Sequence, residues 1–234
     1  MDKFIPVITI DGTSGVGKGT ISAMLATYLN WHYLDSGALY RITAYASHHH
    51  NTDIENEQKI ADLARNLIID FQASGEILLD NQDISTFIRT EQVGMMASKI
   101  AAYPGLRQVL LDKQRSFCKS PGLVADGRDM GTTIFPNAKL KIFLTASAQE
   151  RGKRRYKQLK DKETHANMSG SNLLQQNELN LADIIRKIEE RDHQDMNRAS
   201  SPLKPAHDAV IIDTTSLTID EVFNQVLAHY NKSE

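Results

Sequence analysis

The chain of 234 residues contains a single cysteine and no strong excess of charge of either sign, with 27 Lys and Arg against 29 Asp and Glu for a net charge of −2. Cys118 can form no internal disulfide and no four-cysteine zinc site, and in the basic stretch "KQRSFCKS" it has no neighbouring histidine, so it reads as structural. A nucleic-acid-binding protein would usually carry a clear positive excess, and its absence favours small anionic ligands. No apolar run approaches the ~18 residues that a membrane span needs. The start "MDKFIPVITI" lacks the apolar core and small-residue cleavage site of a secretory signal, so a cytoplasmic location and no membrane partner are expected. No internal repeat or low-complexity tract is present. With 41% apolar residues the chain can bury a full core and make one domain with a small insertion.

Five short runs rich in Val, Ile and Leu read as strands: "PVITID", "HYLD", "GLVAD", "KLKIFLTA" and "AVIIDTT". Most are nearly continuous rather than alternating, as buried parallel strands are, and helical patterns separate them. The expectation is an α/β fold of three layers. Several runs finish in Asp or a Gly-rich turn, and ligands of open parallel sheets gather at the carboxyl ends of the strands. Residues 66 to 88 change texture: "NLIIDFQ", then Ala73-Ser74-Gly75, then "EILLDNQDIS", predict an antiparallel hairpin beside the main sheet. The spacing of Val93, Met96, Ala97 and Ile100, then Pro104, then Leu106, Val109 and Leu110 predicts two consecutive helices. The polar stretch 160 to 180 has no clear periodicity and reads as a mobile loop or a weak helix extension.

The stretch "GTSGVGKGT", Gly12 to Thr20, has the Gly, four residues, Gly-Lys spacing of a phosphate-cradling loop. Several backbone N–H groups must converge on one anion there, and Gly12, Gly15, Gly17 and Gly19 permit positive φ and remove Cβ atoms that would hold phosphate away. Apolar residues at Ile21, Met24, Leu25, Tyr28 and Leu29 predict a following helix whose positive end points into the loop. Lys18 then offers a point charge to the β and γ phosphates and Thr20 a hydroxyl to Mg²⁺. In the commonest form of the motif a hydroxyl residue directly follows the lysine; here Gly19 stands between. A switch GTPase should also carry Asn-Lys-x-Asp, whereas the one Asn-Lys pair is Asn231-Lys232 near the end of the chain.

In "NLADIIRKIEERDHQDMNR" the apolar stripe Leu181, Ile184, Ile185, Ile188 continues at steps of three and four into Arg191, Asp195 and Arg198. Either this end of the helix faces a polar cavity or the three form a surface ion-pair ladder. "DSGALYR" puts Ser36 and Arg41 beyond the second predicted strand, "DGRD" puts Arg128 and Asp129 beyond the third, and "RGKRR" puts Arg151, Arg154 and Arg155 beyond the fourth. Arginines delivered by three strand ends suit transfer between two phosphate-bearing molecules, where positioning and charge stabilisation are most of the catalysis. No histidine stands out as a base; "HHH" at 48 to 50 lacks metal-site spacing and reads as a solvated helix end. A phosphate-monoester acceptor, with a second pKa of about 6, is already largely ionised at neutral pH and needs no strong base.

The stretches "ITIDGTSGVGKGT", "LDSGALYR", "IRTEQVGMMAS", "ADGRDMGTTIFPNAKLKIFLTAS" and "IEERDHQDMNRASSPL", in this order over most of the chain, resemble the bacterial cytidylate kinases of the nucleoside monophosphate kinase superfamily. The resemblance implies a P-loop kinase fold with a five-stranded parallel sheet, a small antiparallel nucleotide-binding insert and a mobile lid. It divides the chain into a core of about 1–37, 98–150 and 181–234, an insert of about 38–97 and a lid of about 151–180. It implies transfer from ATP to CMP or dCMP with Mg²⁺, by a monomer, with no nucleic-acid partner. ATP would bind at Gly12, Thr13, Ser14, Gly15, Val16, Gly17, Lys18, Gly19 and Thr20 and at Arg154, with Thr20 at the metal. Ser36, Arg41, Arg128 and Arg198 would lie near the acceptor phosphate, Ser98, Arg107 and Asp129 at cytosine, and Arg191 and Asp195 at the sugar. Lys18, Arg128, Arg151, Arg155 and Arg198 would be the catalytic set. The polar segment between the arginine-rich stretch and "ERD" is longer than is usual in that family. Two rivals remain: a small kinase of this fold acting on UMP, AMP or a metabolite, and a nucleotide-sensing module without turnover.

Overall fold

The computed structural model describes residues 5–71, 76–168, 180–198 and 201–232. The first half of the chain forms β1 (Val7–Gly12), α1 (Lys18–Leu29), β2 (His32–Asp35), α2 (Ser36–His49), α3 (Glu57–Asn66), β3 (Ile69–Phe71), β4 (Ile77–Leu79) and β5 (Gln82–Asp83). The second half forms α4 (Glu91–Ile100), α5 (Pro104–Arg115), β6 (Leu123–Gly127), β7 (Leu140–Thr145), α6 (Ala148–Met168), α7 (Leu181–Met196), β8 (Val210–Asp213) and α8 (Ile219–Lys232). Among the described residues no helix is long and apolar enough to cross a membrane.

The five apolar runs make one parallel sheet in the order β2-β6-β1-β7-β8. β1 is central and all six of its residues are buried, because helices cover both faces. Strand side chains alternate between faces, and the packing follows. Leu34, Leu123 and Ala125 join Leu39, Ile42, Leu106 and Leu110 in one core, while Ile8, Ile10, Val124 and Ile142 join Ile21, Leu25 and Val226 in the other. These are the three expected layers, and they aim the carboxyl ends of the strands, with their loops, at one edge of the sheet.

Residues 66 to 88 hold more than the expected hairpin. β3, β4 and β5 form a three-stranded antiparallel sheet, and the expected turn at Ala73-Ser74-Gly75 lies outside the described residues. Gln82 and Asp83 are both exposed, so the third strand left no apolar pattern to read. The two consecutive helices appear as α4 and α5, with Pro104 in the first turn of α5, where its missing N–H costs nothing. Of the doubtful stretch 160 to 180, the part to Met168 continues α6 and residues 169–179 lie outside the described ones. α2 ends at the histidines, and His48, His49 and His50 are exposed.

α1 is rotated relative to the expected stripe. Its buried residues are Lys18, Ile21, Ser22, Leu25 and Ala26, whereas Tyr28 is 61% exposed and meets the Phe223 ring edge-on at 6.0 Å. The small side chains of Ser22 and Ala26 let the helix lie close on the sheet, which a count of large apolar residues does not anticipate.

The two ends of the burial scale give a stability test. Ile8→Ala, at a fully buried position of a central strand, should cost about 2–5 kcal/mol in denaturant unfolding. Ile211→Ala, on edge strand β8 and 60% exposed, should stay within about 0.5 kcal/mol of the parent.

Candidate active site

The segment between β1 and α1 is the chemically distinctive turn of the fold. Gly12, Gly15 and Gly17 have φ of 147°, 80° and 94°, conformations that side chains with a Cβ rarely adopt. Gly19 has no positive φ, contrary to the expectation for the fourth glycine, because it already belongs to the first turn of α1. A Cβ there would meet both Asp126 Oδ2 and the Tyr33 hydroxyl at 3.5 Å, an ordinary contact distance.

The carbonyls of this loop are engaged one after another. Lys18 Nζ donates to Thr13 O at 2.8 Å, Arg151 Nη1 to Ser14 O at 3.1 Å, the Thr214 hydroxyl to Val16 O at 3.3 Å and Ile21 N to Gly17 O at 3.1 Å. Lys18 is 8% exposed. Burial, then the Arg128 guanidinium, push its ammonium well below the ordinary lysine range, while Asp126 and Asp11 pull it back.

Facing the loop across the strand ends is a cavity of about 690 Å³, within the size range of small-molecule sites. Its near wall is Ser14 to Ile21, and its far wall includes Ser36, Arg41, Ser98, Arg107, Arg128, Asp129, Arg191, Asp195 and Arg198. Ser36 opens α2 behind the Asp35 N-cap, and Gly127 faces it without a Cβ, which would lie 2.5 Å from the Ser36 hydroxyl. Arg41 is anchored by the carbonyls of Ile88 at 2.8 Å and Thr90 at 3.2 Å, over Gly94, which leaves room for the guanidinium. Arg107 and Asp129, both buried, form an ion pair, and Arg107 also donates to Ala101 O at 3.3 Å.

The stripe at the end of α7 is no surface ladder. Asp195 is 7% exposed, accepts from Arg128 Nε at 2.8 Å and lies 3.8 Å from Arg198. Burial opposes its anion, but Arg128, Arg198 and Arg191 outweigh burial and hold its pKa below the usual carboxylate value. Burial, then Arg128, pushes Arg191 down to about 10. Arg191 and Arg198 each keep a buried Nε without a hydrogen-bond partner among the described residues, an unmet donor of the kind that a ligand satisfies.

Four of the expected site residues do not line the cavity. Gly12 packs on β7, where a Cβ would fall 2.1 Å from Leu144 O, and Thr13 contributes its carbonyl to Lys18. Arg151 points inward: it is 4% exposed, pairs with Asp192 at 2.6 Å and donates to Ser14 O and Ala146 O. Arg155 also lies off the lining, although its charge reaches Arg41. Arg154 lines the cavity and donates to Thr214 O at 2.6 Å and to its hydroxyl at 3.2 Å.

Other lining residues had been given no role by sequence alone. Asp35 and Asp126, register partners at the ends of β2 and β6, stand beside the loop; the apolar runs "HYLD" and "GLVAD" both end on them, which was the available signal. Asp126 is buried, and burial, then Asp35, push its carboxyl upward, against Lys18 and the Tyr33 hydroxyl. Leu217, Thr218, Ile219 and Val222, after β8, add a partly apolar wall. The Thr20 hydroxyl with these two carboxylates is a donor set of hard oxygens, which suits Mg²⁺.

The family model for cytidylate kinase matches residues 8–232. The cytidylate kinase of Aeromonas salmonicida (strain A449) is 50% identical over 232 residues, covering 98% of this chain and 95% of the relative. That of Shewanella amazonensis (strain ATCC BAA-1098 / SB2B) is 48% identical over 236 residues, covering 99% and 96%. Among solved structures, shikimate kinase from Acinetobacter baumannii in complex with shikimate aligns with 15% identity and a TM-score of 0.44 over 99% of this chain and 96% of that one. With its phosphate loop, its arginine-lined far wall and these matches over nearly its whole length, the chain belongs to the cytidylate kinase family.

Proposed function

We propose that the protein transfers the γ-phosphoryl group of ATP to CMP and dCMP, giving CDP and dCDP. One observation carries the reading: a single cavity has a phosphate loop on one wall and Arg41, Arg128, Arg191 and Arg198 on the other. A binding module would need the first wall only. In this reading the loop amides and Lys18 hold the donor phosphates, and the wall of Leu217, Ile219 and Val222 beside Arg154 takes the adenine. Arg41, Arg128 and Arg198 take the acceptor phosphate, Ser98 with the Arg107–Asp129 pair takes cytosine, and Asp195 with Arg191 takes the sugar.

The arginines draw charge from the moving phosphoryl group, and holding the two oxygens in line accounts for most of the catalysis. Thr20 and Asp126 would hold Mg²⁺, directly or through water; the ion supplies charge neutralisation at the β and γ oxygens. Mg²⁺ is commonly held by one or two carboxylates and the phosphates themselves. Arg151 is better assigned to shaping the loop than to contact with phosphate, and Arg155 would reach the phosphates only on closure. The expected division into core, insert (about 38–97) and lid (about 151–180) is retained as part of this reading. Because both walls come from one chain, a monomer suffices, and we place it in the cytoplasm.

A coupled ADP-release assay over CMP, dCMP, UMP and AMP tests the proposal. Fast release with CMP and dCMP is expected, and no release with either defeats it. Lys18→Ala should lower kcat by ~10²-fold or more with the fold retained. Asp195→Ala leaves Arg128 and Arg191 without their counter-charge, so KM for CMP should rise about tenfold or more while KM for ATP changes little. An unchanged KM for CMP would remove α7 from the acceptor site.

A further inference from the structure

Tyr33 belongs to the second strand, outside every motif that marks the site, yet its hydroxyl bonds a carboxylate that lines the site. β2 and β6 pair with Tyr33 opposite Val124 and Asp35 opposite Asp126. Side chains two apart on a strand share a face, so Tyr33, Val124 and Asp126 all point toward the α1 layer, where Tyr33 packs on the core that holds Ile21 and Leu25. The ring spans that distance and donates its hydroxyl hydrogen to Asp126 Oδ2 at 2.8 Å.

Three further features converge on this bond. Asp126 is 5% exposed, so its carboxylate has little water to orient it. Asp35, beside it in register, repels it, while Lys18 and Arg128 attract it from other sides, so without a fixed donor the group would turn toward the nearest cation. Gly19 of α1 lies against both partners, where a Cβ would sit 3.5 Å from each.

We propose that Tyr33 is a positioning residue for the donor-side cation: by occupying Asp126 Oδ2 it leaves Oδ1 as the oxygen presented to Mg²⁺ or its bound water beside Thr20. This rests on the donor-site reading above. A phenol at this place touches neither phosphate nor metal and acts only through the carboxylate.

The test is Tyr33→Phe, which keeps the ring and removes the bond. ATP binding is measured by titration calorimetry without Mg²⁺ and over a Mg²⁺ series, and the Mg²⁺ concentration for half-maximal CMP phosphorylation is measured at saturating ATP. Metal-free ATP affinity should stay within about twofold of the parent, since loop and core are intact, while half-saturation by Mg²⁺ should rise about three- to tenfold, a part of what a hydrogen bond to a charged group contributes, because the bond acts on the ion only through Asp126. Asp126→Asn should shift the Mg²⁺ dependence further, and adding Tyr33→Phe to it should change nothing more, the signature of two residues acting as a unit. A parent-like Mg²⁺ dependence in Tyr33→Phe overturns the proposal, as does an equal loss of ATP affinity with and without Mg²⁺, which would mean that the ring merely supports the loop. If the parent protein itself shows no ATP binding that Mg²⁺ strengthens, the donor-site reading fails and the role of Tyr33 fails with it.

Discussion

Holding Lys18, Arg41, Arg128, Arg191 and Arg198 around one cavity is a problem of like-charge repulsion in a poorly solvated place, and the rest of the site is organised around it. Burial alone disfavours each cation, and each neighbouring cation adds to the penalty; both effects bear on Lys18 and Arg191. The fold answers with carboxylates that are themselves buried and bonded. Asp195 holds Arg128, Asp129 holds Arg107, and Asp192 holds Arg151. Such pairs contribute little net stability, because desolvation offsets their attraction. Their value here is geometric: each guanidinium has one orientation, with Arg128 and Arg107 set on the cavity wall and Arg151 set behind the loop.

The sheet makes this possible at one edge. Five parallel strands end on the same side, so residues far apart in sequence, such as Asp35, Asp126 and Thr214, arrive beside the loop after β1. Asp11 shows how tightly the ends are tied. Its carboxylate accepts from Met130 N at 2.9 Å and Gly131 N at 2.8 Å, so the strand that launches the phosphate loop also fixes the turn that follows Asp129. Burial pushes this carboxyl up to about 6, and the two N–H groups pull in the opposite direction. The donor and acceptor walls are therefore braced by one side chain rather than by packing alone.

The parts legible in the sequence were those whose physics is local. A continuous apolar run announces a doubly covered strand, and Gly-x-x-x-x-Gly-Lys announces converging amides. The stripe that runs from Ile188 into Arg191 and Asp195 pointed to a polar cavity or a surface ladder without deciding between them; in the structure its apolar residues are half-buried, and Asp192 and Asp195 are the buried ones. What stayed hidden depends on contacts across the sheet. β5 had no apolar residue to give it away. The rotation of α1 followed from small residues, which carry no weight in an apolar count. Asp126 and Tyr33 meet only through strand pairing, and register cannot be read from either strand by itself.

Arg151, Arg154 and Arg155 show the same limit at the scale of a single helix. Sequence reasoning let all three share one helical face near the phosphates, with Arg154 at ATP and Arg151 and Arg155 in the catalytic set. Yet α6 approaches α7 so closely at Gly152 that a Cβ there would lie 2.4 Å from Ile185, and that approach separates their fates. Arg151 is drawn into the junction, where Asp192 of α7 and the carbonyl of Ser14 hold it, while Arg154 remains on the cavity side against Thr214. Together with Lys18 on Thr13 O and Thr214 on Val16 O, Arg151 on Ser14 O completes a set of side-chain donors to three carbonyls of the phosphate loop. A peptide plane whose oxygen is held has little freedom to turn, so bonding the carbonyls fixes where the amides aim. The anion site of the loop is thus preorganised from behind, by side chains of α6 and of the segment after β8 that the phosphates themselves need not touch.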